Sequence, residues 1–419
     1  MTDNTFSSIS SIEDLSEYDT IVLPGLLNPL KVATAYNMPT TSNGSNVKVG
    51  VFSLGGGFLQ NDLNLSMADL GITAPTITVI GVDGATNNFV ASTSDSSFET
   101  TLDLYCVAGI APAANIVLFI GNSSQSNLQA AWGNTIQRAV DENCDIITHS
   151  YSLSESLYGA FLETPLSNAA NKGITFFTST GDYGSSNKSG VTGANYPASS
   201  ANVIAVGGTN LTVFSGNSVR SSEFASTLSG GGISSIIPLP TWQAGLTYTP
   251  YFKANSTPGT TANLASRGVP DIAAAMNDYA MYFNGTIYGV GGTSAATPIM
   301  AGMMAKYISL MGGRRPVTNA IHPILYGNLN AYYDIGIGGN NASYVNGYAT
   351  SVNWDPVTGV GVPWGNVVYQ MVSSGGTKVK TAANTWSYVA NVRVKTAPTT
   401  WSNVRAIWTK TINGWSQTF

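Results

Sequence analysis

Charged side chains are scarce in this 419-residue chain, at 9% of residues against roughly 25% in ordinary soluble domains. A surface with so few ions relies little on ion pairs, which suits an acidic or extracellular setting. Histidine occurs twice and cysteine twice. Two histidines leave little choice of base for chemistry near neutral pH. Two cysteines, Cys106 and Cys144, exclude a disulfide-built scaffold, and one bridge or two buried free thiols fit the sequence equally well. No apolar run reaches the roughly 20 residues that span a bilayer, so no membrane span is expected. The polar opening Met1-Thr2-Asp3-Asn4-Thr5 offers neither the basic nor the apolar region of a signal peptide.

What is present is an apolar content of 43%, enough for a sizeable core in one large domain plus a small one. Residues 1–20 read as a polar arm. Asn28-Pro29 reads as the cap and first position of a short helix. Apolar runs of strand length follow at Val47–Leu54, Thr76–Val82, Asn115–Ile120, Asp145–Tyr151 and Gly173–Ser179, separated by helix-like segments near 61–70, 97–108, 127–142 and 158–171. Continuous apolar strands alternating with helices predict an α/β fold, a doubly wound, mostly parallel sheet covered on both faces. Ligands of such sheets gather at the C-terminal strand ends. The loops there include Gly55-Gly56-Gly57, Ser179-Thr180-Gly181-Asp182 and the turn before Ser294, which an Asn284-Gly285 hairpin turn precedes.

Gly291-Gly292-Thr293-Ser294-Ala295-Ala296-Thr297-Pro298 places a hydroxyl at the start of an apolar helix, with the proline expected in the first turn. The free N–H groups and dipole there favour negative charge, as a nucleophilic Ser generating an oxyanion requires. The plainer alternative makes Ser294 a helix cap. A nucleophile needs a base, yet His149 sits in a buried strand pattern and His322 follows the nucleophile helix. The base must be sought among carboxylates. Glu99 and Asp103, at i and i+4, stack on one helix face, where like charges share a proton and one pKa rises. Against this, Ser96 three residues before Glu99 suggests a capping box. Asp182 follows a very apolar strand. It is either a turn residue or, if protonated in a dry cleft, a hydrogen-bond donor to an oxyanion.

Thr34-Ala35-Tyr36-Asn37, Leu54-Gly55-Gly56-Gly57, Glu99 with Asp103, Gly181-Asp182, Tyr196-Pro197-Ala198-Ser199, Val206-Gly207-Gly208-Thr209, Ser229-Gly230-Gly231-Gly232, Val269-Pro270-Asp271 and Gly292-Thr293-Ser294 occur in this order. With these motifs the chain resembles the sedolisins, serine-carboxyl peptidases of subtilisin-like fold, from about Leu27 to Tyr369. The resemblance implies Ser294 as nucleophile, Glu99 as general base, Asp103 as the acid orienting it and Asp182 as oxyanion donor. It implies further that Ser229, Gly230, Gly231 and Gly232 line the substrate cleft, and that the reaction is endopeptidase cleavage of a peptide or protein at acidic pH. It also implies one structural calcium ion, held by Asp334, Ile335, Ser351, Asn353 and Asp355. Ser53 and Tyr151 stand where family members often carry an acid and a Trp, so a shortened outer network is expected. Only about twenty residues precede the match where the family carries a long folding pro-segment.

The peptidase-like domain is expected over residues 21–372, with a linker and Trp-rich β tail over 373–419. The tail holds six basic and no acidic residues, leaving the body at −11. Trp386-Ser387, Trp401-Ser402 and Trp415-Ser416 recur there among alternating β-branched and basic residues, as in short strands. These repeats are similar to Trp-rich ends of phage and viral structural proteins. The plainer alternative is a self-packing β appendage, and the functional one is attachment to a particle or anionic surface through the +6 charge, with a virion-associated or extracellular location. No nucleic-acid partner is expected. The competing expectation is a peptidase-like scaffold without activity, although it would have little reason to keep Ser294, Glu99, Asp103 and Asp182 together.

Overall fold

Strand β1 (Lys48–Leu54) illustrates how the sheet arises, since every residue after Lys48 is buried. Val49 and Val51 enter one core and Phe52 the other, because successive side chains leave a strand on opposite faces. The computed structural model describes residues 26–186, 190–316, 321–336, 341–343 and 345–374, together with the backbone of six strands between 378 and 417. Nine further strands belong to the same body: β2 (Thr78–Gly81), β3 (Asn115–Gly121), β4 (Ile146–His149), β5 (Thr175–Ser179), β6 (Ile204–Val213), β7 (Arg220–Ala225), β8 (Gly232–Pro238), β9 (Ser266–Val269) and β10 (Ile272–Ala275). The central sheet runs β10-β6-β5-β4-β1-β3-β2, parallel throughout, and β7 adds to β6 antiparallel.

Helices α1 (Pro29–Ala35), α2 (Gln60–Asp69), α3 (Ser96–Ile110), α4 (Leu128–Asp141), α5 (Glu163–Asn171) and α6 (Thr293–Leu310) surround it. Residues of α3 and α6 share a core with Val49, Val51, Ile116 and Leu118, while α4 and α5 cover Phe52, Val117, Phe119 and Phe176 on the other face. Every residue of α3 is buried, so this helix lies between sheet and neighbours rather than on the surface. It meets α6 so closely that a Cβ on Gly302 would stand 2.6 Å from Cβ of Ile110. Truncating one such core side chain, as in Leu118→Ala, costs about 2–5 kcal/mol.

The doubly wound architecture agrees with the sequence pattern, and the differences lie at the ends. The strand expected to run to Tyr151 stops at His149, freeing Ser150 and Tyr151 to enter the site. The helix expected from 158 starts at Glu163, because Gly159, with φ +70°, ends a preceding turn at Glu155–Tyr158. Asn28 caps α1, accepting from Lys31 N at 2.9 Å. Hairpin strands β11 (Tyr279–Phe283) and β12 (Thr286–Val290) meet at Asn284-Gly285, both at positive φ as that dipeptide predicts. The α2 side chain Asp62 accepts from the N–H groups of Asn284 (2.6 Å) and Gly285 (2.9 Å), pinning the hairpin that feeds the Ser294 turn.

Cys106 and Cys144 are free and buried, the first under α6 and the second in the opposite core. Beyond the helix Gly365–Ser373 three hairpins follow: Lys378–Ala382 with Thr385–Tyr388, Arg393–Ala397 with Thr400–Asn403, and Trp408–Thr411 with Gly414–Gln417. Their registers repeat, pairing Lys380 with Trp386, Lys395 with Trp401 and Lys410 with Trp415. The expected N-terminal arm, and residues 375–377 of the expected linker, lie outside the described residues.

Candidate active site

The turn before Ser294 is built on glycine. Gly292 has φ +122°, a conformation L side chains rarely adopt, and a Cβ there would lie 2.5 Å from Oδ2 of Asp182. Oδ1 of Asp182 accepts from Thr293 N (2.7 Å) and from Thr293 Oγ1 (2.9 Å), and that hydroxyl oxygen accepts from Gly181 N at 3.1 Å. The loop leaving β5 and the start of α6 are thereby joined. Gly292 is the N-cap residue of α6, with no side-chain capping bond, so Ser294 is not a cap but the second helical residue, 6% exposed.

Pro298 stands in the second turn rather than the first, as counted from Thr293. Having no N–H, it cannot take up the carbonyl of Ser294 four residues back. Ser150 Oγ lies 3.5 Å from that oxygen, and Ser294 Oγ donates in turn to the carbonyl of Ser150 at 3.4 Å. The Ser150 hydroxyl has a shorter bond, donating to Oδ1 of Asp103 at 2.7 Å. Ser150 therefore connects the nucleophile candidate to the acid pair. In the sequence Ser150 carries no signal beyond its place in the loop leaving the C-terminal end of β4.

Glu99 and Asp103 are 2% and 0% exposed, one helical turn apart. Burial raises Glu99 well above the ordinary carboxyl range. The charge of Asp103 raises it further and that of Asp182 adds a little, while the Ser294 and Ser150 hydroxyls act against the rise. Burial likewise raises Asp103, opposed by Ser150. Oε1 of Glu99 and Oδ2 of Asp103 are buried with no hydrogen-bond donor among the described residues. A proton on either carboxyl answers both observations, since it removes a buried charge and supplies the missing donor. The capping box expected at Ser96 is absent. Asp95 caps α3 through a 2.8 Å bond from Ser97 N, and Ser96 Oγ donates to Leu54 O, which leaves Glu99 free of that duty.

Around Thr100, the residue after Glu99, stand neutral hydroxyls. Ser53 Oγ lies 2.8 Å from Thr100 Oγ1 and 3.3 Å from the Tyr151 hydroxyl. Neither histidine approaches. His149 is fully buried, accepts from Trp132 Nε1 at 2.7 Å through Nε2 and meets Thr178 Oγ1 at 3.1 Å through Nδ1; burial lowers its pKa to about 3. It is a neutral core residue. His322 Nε2 meets the Val203 carbonyl at 2.7 Å.

Ser229 spends its side chain internally, accepting from Gly208 N (2.8 Å) and donating to Val357 O (3.1 Å). Gly230 N donates to Gly181 O at 2.6 Å, and a Cβ on Gly230 or Gly231 would fall within 2.0 Å of the carbonyl oxygens of Thr180 or Pro356. Three glycines are needed because backbone presses on the loop from both sides, against the chain that carries Asp182. Two other motif residues are architectural. Tyr36 accepts from Ala275 N (2.6 Å) and donates to Glu223 (2.7 Å), and Asp271 forms a fully buried 2.6 Å ion pair with Arg267 that holds its carboxyl far below the usual range.

Asp334 and Asp355 converge on one loop. Asp334 Oδ2 accepts from Asn353 N at 2.7 Å, and Asp355 accepts from the N–H groups of Ser351, Val357 and Thr358 at 2.8–3.0 Å. A Cβ on Gly336 would stand 3.1 Å from the Ser351 carbonyl oxygen and 3.5 Å from Asp334 Oδ1, so those oxygens face the same space. Among the described residues no group of three or more His, Cys, Asp or Glu is placed to hold a metal ion.

The subtilase family model matches residues 85–320, which hold Glu99, Asp103, Asp182 and Ser294. Kumamolisin from Bacillus sp. (strain MN-32) is 31% identical over 363 residues, covering 82% of this chain and 63% of its own. Human tripeptidyl-peptidase 1 is 32% identical over 239 residues, 52% of this chain and 41% of its own. This chain thus spans less than two thirds of either relative. In fold it is similar to Pseudomonas sedolisin, a serine-carboxyl proteinase complexed with two molecules of pseudo-iodotyrostatin, with a TM-score of 0.69 at 24% identity over 84% of this chain and 98% of that one. The chain belongs to the subtilase family.

Proposed function

We propose that the protein is an acid-active serine-carboxyl endopeptidase. Ser294 attacks the scissile carbonyl, Glu99 takes its proton, Asp103 orients Glu99 and holds the shared proton, and protonated Asp182 donates to the oxyanion. The observation that carries this reading is the convergence of Ser294, Ser150 and the buried Glu99–Asp103 pair, with both histidines bonded elsewhere. The glycine loop 229–232 pairs its backbone with an extended peptide.

The test is to incubate the protein and Ser294→Ala with a denatured substrate from about pH 3 to about pH 8. Cleavage in acid by the wild type alone supports the reading, and its absence makes the chain a scaffold. Product analysis on a long peptide separates internal cleavage from the stepwise release of tripeptides.

Calcium at Asp334 and Asp355, with the carbonyls of Ile335, Ser351 and Asn353, belongs to the same proposal. Asp355 is fully buried among N–H and hydroxyl donors, with no Lys or Arg paired to it among the described residues, and burial raises its pKa to about 7. A hard, oxygen-seeking cation suits two carboxylates among carbonyls. The ion would brace this loop.

The three hairpins of the tail, each with a Lys paired opposite a Trp, are proposed as a tether to an anionic particle surface. Deleting residues 375–419 tests this by co-sedimentation with anionic vesicles, which only the full chain should follow.

A further inference from the structure

Glu155 lies five residues beyond Ser150, at the start of a single helical turn, and is 2% exposed. An acid at a helix N-terminus ordinarily serves that helix. Here the carboxylate turns to another part of the chain. Oε2 accepts from Ser234 Oγ at 2.7 Å, and Oε1 accepts from Ser235 N at 2.6 Å and Ser235 Oγ at 3.0 Å. Ser234 Oγ in turn accepts from the N–H groups of Ile236 (3.2 Å) and Ile237 (2.7 Å).

The reason is a break in the ladder. Strand β8 pairs with β9 at Gly232, Ile233 and Pro238, with the register shifted in between. The N–H groups of the shifted stretch need acceptors, and Glu155 supplies them directly or through Ser234. The two segments so joined both begin at the catalytic candidates. One leaves Ser150, whose carbonyl accepts from Ser294 Oγ, and the other is the glycine loop whose Gly230 N is bonded to Gly181 O beside Asp182. Both segments also contact the stretch 193–196. Leu153 and Ser154 pair with Tyr196 and Asn195, and a Cβ on Gly232 would lie 2.9 Å from the Gly193 carbonyl carbon.

We infer that Glu155 is a positioning residue for the substrate: it sets the spacing of the two backbone segments between which an extended peptide is held. This rests on the peptidase reading. The residue acts through Ser234 and Ser235 and touches neither Ser294 nor the acid pair through any bond described above. Its loss should therefore weaken the grip on a long peptide and spare the chemistry at Ser294.

The test compares wild type, Glu155→Ala, Glu155→Gln and Ser235→Ala on two probes, an octapeptide that spans both segments and a short acyl ester that reaches only Ser294. Octapeptide affinity is also measured in the Ser294→Ala background, where no turnover is needed. Glu155→Ala should lose about tenfold on the octapeptide through KM, and a similar factor in binding, since three bonds to a buried carboxylate disappear. Ester turnover should stay within about twofold, and Glu155→Gln, which keeps one acceptor oxygen, should fall in between. If Glu155→Ala folds poorly, Glu155→Gln and Ser235→Ala carry the same length-dependent comparison. Equal losses on both probes, or unchanged octapeptide binding, overturn the inference. A wild type that binds the octapeptide but turns over neither probe refutes the peptidase reading, and the binding comparison still decides the role of Glu155.

Discussion

The hydroxyl of Ser150 donates a 2.7 Å hydrogen bond to Oδ1 of Asp103, while its own carbonyl accepts from Ser294 Oγ. One residue thus touches both the acid pair and the candidate nucleophile. Its hydroxyl favours the charged form of both Asp103 and Glu99. Ser150→Ala should accordingly let the pair keep its proton to higher pH. The acidic limb of the kcat/KM profile should shift upward in pH, with a fall of about tenfold at the optimum. A profile scaled down without a shift would limit Ser150 to packing.

Ser294→Ala should abolish cleavage and leave the melting temperature nearly unchanged. The Ser294 side chain makes no capping bond, so the loss of about 1 kcal/mol that follows removal of a cap should not appear. Circular-dichroism melts beside an activity assay check both halves of the statement.

Burial raises the pKa of both Glu99 and Asp103 in the native state. A group of this kind contributes stability in full below its unfolded pKa, near about 4, and loses it as pH rises through the native value. The wild type should therefore lose stability from acid toward neutrality. Glu99→Gln, which never ionises, should melt higher than wild type at neutral pH and gain little in acid, by roughly 2 °C for each kcal/mol released. A variant that melts lower at every pH would show that the carboxyl is not under strain.

Much of this was legible in the chain. Five of the seven parallel strands were legible because a sheet buried on both faces leaves continuous apolar runs such as Val-Leu-Phe-Ile in β3, whereas β6 and β10 were not anticipated. Glu99 and Asp103 could be paired because i and i+4 share a helix face. Illegible were the features set by distant partners. Asp95 displaced Ser96 as cap because the Ser96 hydroxyl finds Leu54 O, forty-two residues away. Ser150 and Glu155 look like any serine or acid until the loops from β4, β5 and β8 are brought together.

Removing calcium with a chelator should lower the melting temperature, and Asp334→Ala should reproduce the loss and abolish the chelator's effect. A ligand that binds only the native state adds about 2.7 kcal/mol at a hundredfold excess over its Kd. No response from either protein would dispose of the ion.

Activity should depend on pH through Asp182. Its Oδ1 is occupied by Thr293 N and Oγ1, while Oδ2 faces Gly292 at the mouth of the nucleophile turn. Only a protonated carboxyl can donate from Oδ2 to an oxyanion, so activity should peak in acid and fade as that proton is lost. Asp182→Asn keeps an N–H donor that does not ionise. The variant should be weaker at its best pH, by up to the 10²–10³-fold loss typical of a disturbed oxyanion donor, yet decline less as pH rises. Gly292→Ala should do worse at all pH values, because its methyl group would displace Oδ2 itself. The measurement is kcat/KM against pH for wild type, Asp182→Asn and Gly292→Ala on one peptide. A maximum above about pH 7, where an unperturbed histidine is the available base, would overturn the assignment of Glu99 and Asp182 together.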